Sequence, residues 1–121
     1  MAKMLVIDDE SDIRHLYAAE LEDEGHEVLT AGSGGEALAL LRSRDFDLVI
    51  LDIQLDQESG LDLLQKIARE RGQLPVILCT AFGSYRDDFS SWLADAYVVK
   101  SSDLHELKEQ VRQVLARQAP R

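Results

Sequence analysis

Five short apolar runs, each followed by a stretch of helical periodicity, constrain this chain more than any other feature. The runs cover residues 3–8, 26–31, 46–52, 76–80 and 96–100. Between the first two, Ile13, Leu16, Tyr17 and Leu21 recur at helical spacing, and Gly25 follows as a stop. Ser33 with Glu36 is a capping-box signature for a second helix, whose apolar residues are Ala37, Leu38, Leu40 and Leu41. Leu61, Leu64 and Ile67 mark a third helix that ends near Gly72. Tyr85, Phe89, Trp92 and Leu93 mark a fourth, although Asp88, Ser90 and Ser91 are weak helix formers. Asp103 with Glu106 caps a fifth, striped by Leu104, Leu107, Val111, Val114 and Leu115. Runs that are apolar throughout suit strands covered on both faces. Right-handed crossovers then give an α/β fold with one parallel, doubly wound, five-stranded sheet and five helices. Ligands of such sheets sit at the carboxyl ends of the strands, where the winding reverses.

The length of 121 residues fits one domain, and 45% hydrophobic residues can build its core without staples. The single cysteine, Cys79, lies inside an apolar run and reads as a small buried hydrophobe. No stretch reaches membrane-span length, and the N-terminus turns acidic at Asp8, too early for a signal peptide. A cytoplasmic protein without membrane contact is the expectation. The net charge of −10 would repel a duplex, which argues against direct nucleic-acid binding by this domain. Most of its acids read simply as a solvated surface.

Four of the runs end in residues capable of chemistry. The first leads into Asp8-Asp9-Glu10, the third into Asp52, the fourth into Thr80 and the fifth into Lys100. Brought to one sheet edge, three carboxylates would repel one another unless a cation intervened. An all-oxygen acidic pocket suits Mg²⁺ and lacks the His and Cys ligands expected for zinc. A carboxylate nucleophile, a divalent cation, a lysine and a hydroxyl donor together make a phosphoryl-transfer site. His15, His26 and His105 fall in or beside helical segments and read as surface residues, so no general base is evident. Each motif alone has a plainer reading: helix-start acids at Asp8-Asp9, a turn at Asp52, solvated or structural roles for Thr80 and Lys100, strand packing for Tyr97. Their joint occurrence at four strand ends makes those separate readings improbable. Gly32-Ser33-Gly34-Gly35 lacks the Lys-Ser/Thr of a P-loop and reads as a loop and helix cap. Trp92 reads as a partner anchor or as core packing, with core packing preferred.

On these residues, with Gly60 in the loop after Asp52, Ala81 after Thr80 and Tyr97-Val98-Val99-Lys100 in the fifth run, the chain resembles the receiver domain of bacterial two-component response regulators. The resemblance covers essentially the whole chain. It implies a flavodoxin-like sheet of order 2-1-3-4-5, with residues 1–117 as the receiver domain and 118–121 as a tail or the start of a linker. It also implies that Asp52 accepts a phosphoryl group from a histidine kinase or phosphotransfer protein. Asp8, Asp9, Asp52 and the Gln54 carbonyl would hold Mg²⁺. Lys100, Thr80 and the Ala81 N–H would contact the phosphoryl oxygens. Thr80 and Tyr97 would form the switch that alters the helix 4–strand 5–helix 5 face toward a downstream protein or output domain. Such a domain is not an enzyme in the ordinary sense, since it turns over only its own phosphoryl group, and a phosphorylation-dependent homodimer is compatible with it.

Two residues depart from the family pattern. Ser101 stands where a cis proline usually follows the lysine; a cis bond there would cost about 2.5–4 kcal/mol, so a trans or strained bond is expected. Asp56 replaces a usual proline, and the Thr80–Lys100 stretch is short, so an abbreviated or irregular helix four is expected. Phe82, beside the phosphoryl position, would exclude water and slow self-hydrolysis, whereas Gln54 could orient it. An acidic Mg²⁺-dependent phosphohydrolase is the main alternative, but Gln54 stands where its second acid would be needed. A degenerate receiver would have lost an acid, the threonine or the lysine, and all are present.

Overall fold

The computed structural model describes residues 2–55, 58–80, 94–100 and 104–118. The chain order is β1 (Lys3–Ile7), α1 (Ser11–Asp23), β2 (Glu27–Ala31), α2 (Gly34–Ser43), β3 (Leu48–Asp52), β4 (Gln54–Leu55), β5 (Glu58–Ser59), α3 (Gly60–Glu70), β6 (Val76–Thr80), β7 (Ala96–Val99) and α4 (His105–Gln118). Five strands form one parallel sheet in the order β2-β1-β3-β6-β7. Counting these strands alone, this is the expected order 2-1-3-4-5. The helix expected around Tyr85–Leu93, with Trp92, lies outside the described residues, as do Asp103 of the last capping box and the Lys100–Ser101 junction. A short antiparallel ribbon, Gln54↔Ser59 and Leu55↔Glu58, was not expected from periodicity. Two residues per strand are too few to show a pattern.

The period-2 alternation of the strands divides the core into two layers. Leu5, Ile7, Val49, Leu51 and Leu78 face α2 and α3, where they meet Ala37, Leu41, Leu61, Leu64 and Ile67. Met4, Val6, Leu48, Ile50, Ile77 and Cys79 face the other way, onto Tyr17 and Leu21 of α1 and Leu107, Val111 and Val114 of α4. Each fully buried aliphatic side chain contributes on the order of 1.5–3 kcal/mol, so neither face could be uncovered without loss of the fold.

Local sequence sets the helix ends. The Ser33 hydroxyl accepts the Glu36 N–H at 3.2 Å, as a capping box requires. The Glu36 carboxylate reaches back one residue further than in the simple motif, to the Gly32 N–H at 2.6 Å. Gly25 ends α1 at φ 94°. Its N–H bonds the Glu22 carbonyl and the His26 N–H bonds the Leu21 carbonyl, the paired Schellman arrangement that only glycine enters without steric cost.

Two sequence expectations are corrected. Leu16 shares the helical spacing of Ile13, Tyr17 and Leu21, which predicts one common face, but it is 42% exposed. Ile13, Tyr17 and Leu21 repeat at i, i+4 and i+8, and at about 100° per residue Leu16 points well off that stripe. His26 is half-buried rather than a free surface residue, and its Nδ1 accepts the Ala2 N–H at 3.2 Å. Burial lowers its pKa below the ordinary histidine value. His15 and His105 are exposed, as expected.

Candidate functional site

Register brings the acids together. Ile7 lies opposite Leu51 in the parallel β1–β3 pair, so one further step along each strand sets Asp8 beside Asp52. Both carboxylates are buried, at 2% and 5% exposure, at the ends of otherwise apolar strands. Burial of a carboxylate is costly unless it is paired and hydrogen-bonded. Lys100, the residue after β7, supplies the pair. Its Nζ donates to Asp8 Oδ2 at 2.9 Å and to Asp52 Oδ2 at 3.0 Å. The long flexible lysine stem lets a residue from the far edge of the sheet reach acids on β1 and β3 across the end of β6. Burial alone would lower the Lys100 pKa, but the hydrogen bonds and charges of Asp8 and Asp52 outweigh it and hold the ammonium firmly protonated.

Asp9 completes the cluster. One carboxylate oxygen from each of Asp8, Asp9 and Asp52 lies within 4.8 Å of the others. The set is all hard oxygen donors, with no thiolate or imidazole, and two of its members are buried. That chemistry fits Mg²⁺ rather than zinc. The adjoining backbone is tied down on every side. The Glu10 N–H donates to Asp8 Oδ1 at 2.9 Å, and the Asp8 N–H donates to the Ala31 carbonyl at 3.1 Å. The Ile53 N–H donates to the Cys79 carbonyl at 3.0 Å, anchoring the turn that follows Asp52.

Gly60 anchors the other side of that turn. Its N–H donates to the Ile53 carbonyl at 2.6 Å. A Cβ built there would fall 2.6 Å from the Ile53 carbonyl oxygen and 2.7 Å from its Cα, with the Asp52 carbonyl closer still. These are backbone atoms that cannot swing aside, so only glycine permits this approach.

The site brings together Asp8, Asp9, Asp52 and Lys100 as the sequence led us to expect. Tyr97 is half-buried on β7 and packs on the α2–α3 side of the core. Thr80 ends β6, opposite Val99, and Gln54 opens β4; only their backbones belong to the description. Ala81, Phe82 and Asp56 lie outside the described residues. Cys79, opposite Asp52 in the ladder, is fully buried, and burial pushes its thiol up to about 12, so it acts as packing. Sequence reasoning missed Arg14, whose Nη1 donates to the Asp8 carbonyl at 2.6 Å. Nothing in helical periodicity distinguishes it from the other charged positions of α1.

A doubly wound parallel sheet with a buried acid pair, a bridging lysine and a metal-suited carboxylate cluster at the strand ends defines a flavodoxin-like α/β domain built for anionic, phosphate-type chemistry. The chain belongs to the response regulator receiver domain family, whose model matches residues 4–112. It is similar to the probable transcriptional regulator ycf27 of Porphyra purpurea, at 38% identity over 117 residues, covering 95% of this chain and 48% of that protein. The chain thus spans about half the length of the curated relatives it matches. Among solved structures it is similar to the response regulator TrrA of Thermotoga maritima in complex with Mg²⁺-BeF, with TM-score 0.90, 47% identity and coverage of 94% and 99% of the two chains. TrrA in complex with the histidine kinase ThkA gives TM-score 0.89 and 48% identity, with coverage of 95% and 99%. Among the described residues no helix is long and apolar enough to cross a membrane.

Proposed function

We propose that Asp52 accepts a phosphoryl group from a histidine kinase or a phosphotransfer protein in a Mg²⁺-dependent reaction. The observation that carries this is the Lys100 ammonium, shared at 2.9 and 3.0 Å between the buried Asp8 and Asp52 with Asp9 alongside. The Asp52 carboxylate oxygen attacks phosphorus, and the bond between phosphorus and the donor's imidazole nitrogen breaks as the O–P bond forms. Asp8, Asp9, Asp52 and the Gln54 carbonyl would hold Mg²⁺, which supplies neutralisation of the phosphoryl charge when bound. Lys100 then trades its carboxylate partners for a phosphoryl oxygen, at little cost because its charge is already desolvated and fixed. Thr80, which ends β6, and the Ala81 N–H contact the remaining oxygens.

The readout follows from added charge. A phosphoryl group adds up to two negative charges and three acceptor oxygens beside Lys100 and Thr80. Thr80 moves toward it and Tyr97 turns into the vacated space, changing the face that includes β7 and α4. That face addresses a downstream protein or an output domain, either across a dimer of such faces or directly. Residues 1–117 act as the receiver unit and 118–121 as a tail or the start of a linker. The domain turns over only its own phosphoryl group, in the cytoplasm where the donor kinase presents it.

Incubation with acetyl phosphate and Mg²⁺ followed by intact-mass measurement tests this. A single phosphoryl adduct on the wild type that is absent from Asp52→Asn is expected. Sustained turnover of unrelated phosphate esters, or an adduct that persists in Asp52→Asn, would overturn the reading.

A further inference from the structure

Every polar atom of Asp8 is engaged. Its N–H donates to Ala31, Oδ1 accepts Glu10 and Oδ2 accepts Lys100. The remaining carbonyl oxygen accepts Arg14 Nη1 at 2.6 Å. That carbonyl belongs to the single planar peptide unit joining Asp8 to Asp9. Orienting the carbonyl therefore orients the start of Asp9 relative to the Asp8 carboxylate. The bond is charge-assisted and comes from α1, a rigid element packed on the sheet through Tyr17 and Leu21. The same guanidinium lies against Gly32: a Cβ built there would stand 3.0 Å from Arg14 Nη1 and 3.4 Å from its Cζ. Arg14 thus fills the space between the loop after β1 and the loop after β2.

We infer that Arg14 is a positioning residue for the metal site, holding the Asp8–Asp9 peptide in the orientation that aims both carboxylates at one cation. This deepens the proposed function and rests on it, because the cation is the Mg²⁺ invoked there. Arg14 touches neither the cation nor the phosphoryl group. Its charge opposes a cation at long range, but the guanidinium is only partly buried and salt screens it, whereas the carbonyl bond is direct. Losing the bond frees a two-acid loop that binding must then reorder, so affinity falls while the chemistry of the filled site does not change.

Calorimetric titration of MgCl₂ into wild type, Arg14→Met and Arg14→Lys tests the inference without reference to activity. Arg14→Met is expected to weaken Mg²⁺ binding at least fivefold, and Arg14→Lys to recover more than half of that loss in log units. With acetyl phosphate, the Mg²⁺ concentration for half-maximal labelling of Arg14→Met should rise by the same factor, while the rate at saturating Mg²⁺ stays within twofold. Gly32→Val gives a second route should Arg14→Met fold poorly. It crowds the guanidinium off the carbonyl, so it should weaken Mg²⁺ binding in the wild type but add nothing to Arg14→Met. Unchanged or tighter Mg²⁺ binding in Arg14→Met or Gly32→Val overturns the role of Arg14. A wild type that binds no Mg²⁺ overturns the metal-site reading itself, and this inference with it.

Discussion

Replacing Lys100 by methionine tests how the buried acids are held. The change keeps most of the stem but removes the ammonium that bonds Asp8 at 2.9 Å and Asp52 at 3.0 Å. Removing one partner of a buried ion pair typically costs about 3–5 kcal/mol, because the other charge stays buried without compensation. Here the lysine side chain keeps 18% of its exposure, and two acids share one cation, so we take the lower end, about 3 kcal/mol. In a domain whose total stability is on the order of 5–15 kcal/mol, that is a large loss. Mg²⁺ should restore part of it. A cation entering the wild type would compete with the Lys100 ammonium for Asp8 and Asp52, whereas in Lys100→Met it would meet no competing ammonium and bind more tightly. If 10 mM Mg²⁺ is tenfold above Kd for the wild type and a hundredfold above it for the variant, stabilisation is about 1.4 and 2.7 kcal/mol respectively. Urea unfolding followed by circular dichroism, with EDTA or with Mg²⁺, measures both quantities. A Lys100→Met midpoint equal to the wild type in EDTA, or equal Mg²⁺ stabilisation of the two proteins, would refute the reasoning.

Two further outcomes follow from the same geometry. Gly60→Ala drives a methyl group into the Ile53 and Asp52 backbone; we expect more than about 3 kcal/mol of destabilisation by urea unfolding and a large loss of acetyl phosphate labelling, and a change under 1 kcal/mol would contradict the close approach. His26 has a folded-state pKa below its ordinary 6.5, so the unfolded chain binds more protons in that window and stability rises with pH there. Its contribution is complete above pH 6.5 and lost as pH falls toward the folded-state value. The urea midpoint should therefore drop more between pH 7.5 and 5.5 for the wild type than for His26→Asn, which keeps an acceptor for the Ala2 N–H but cannot titrate.

The sheet and the four described helices were legible because their signals are local. Apolar runs bounded by Gly25, Gly72 and Pro75 and helices opened by Ser33 need only short-range chemistry to be read. The acid pocket was legible for a related reason: its members end strands, and a parallel sheet collects strand ends at one edge. Leu16 misled because a four-residue count cannot tell where on a helix the sheet lies. The ribbon at Gln54–Ser59 was too short to leave a periodic trace. Arg14 and His26 were missed because their partners are backbone atoms, the Asp8 carbonyl and the Ala2 N–H, which carry no sequence signal.

By itself the sequence determined the order of the five sheet strands and of the four described helices, the identity of the acids and the lysine, and the glycines at positions 25 and 60. These depend on residue chemistry and on neighbours a few positions away. Tertiary structure alone decided that one ammonium would serve two carboxylates from strands 44 residues apart in register-matched positions, and that Arg14 would close the last open atom of Asp8. Those outcomes depend on strand register and helix packing, where a shift of one residue would turn every acid to a different neighbour.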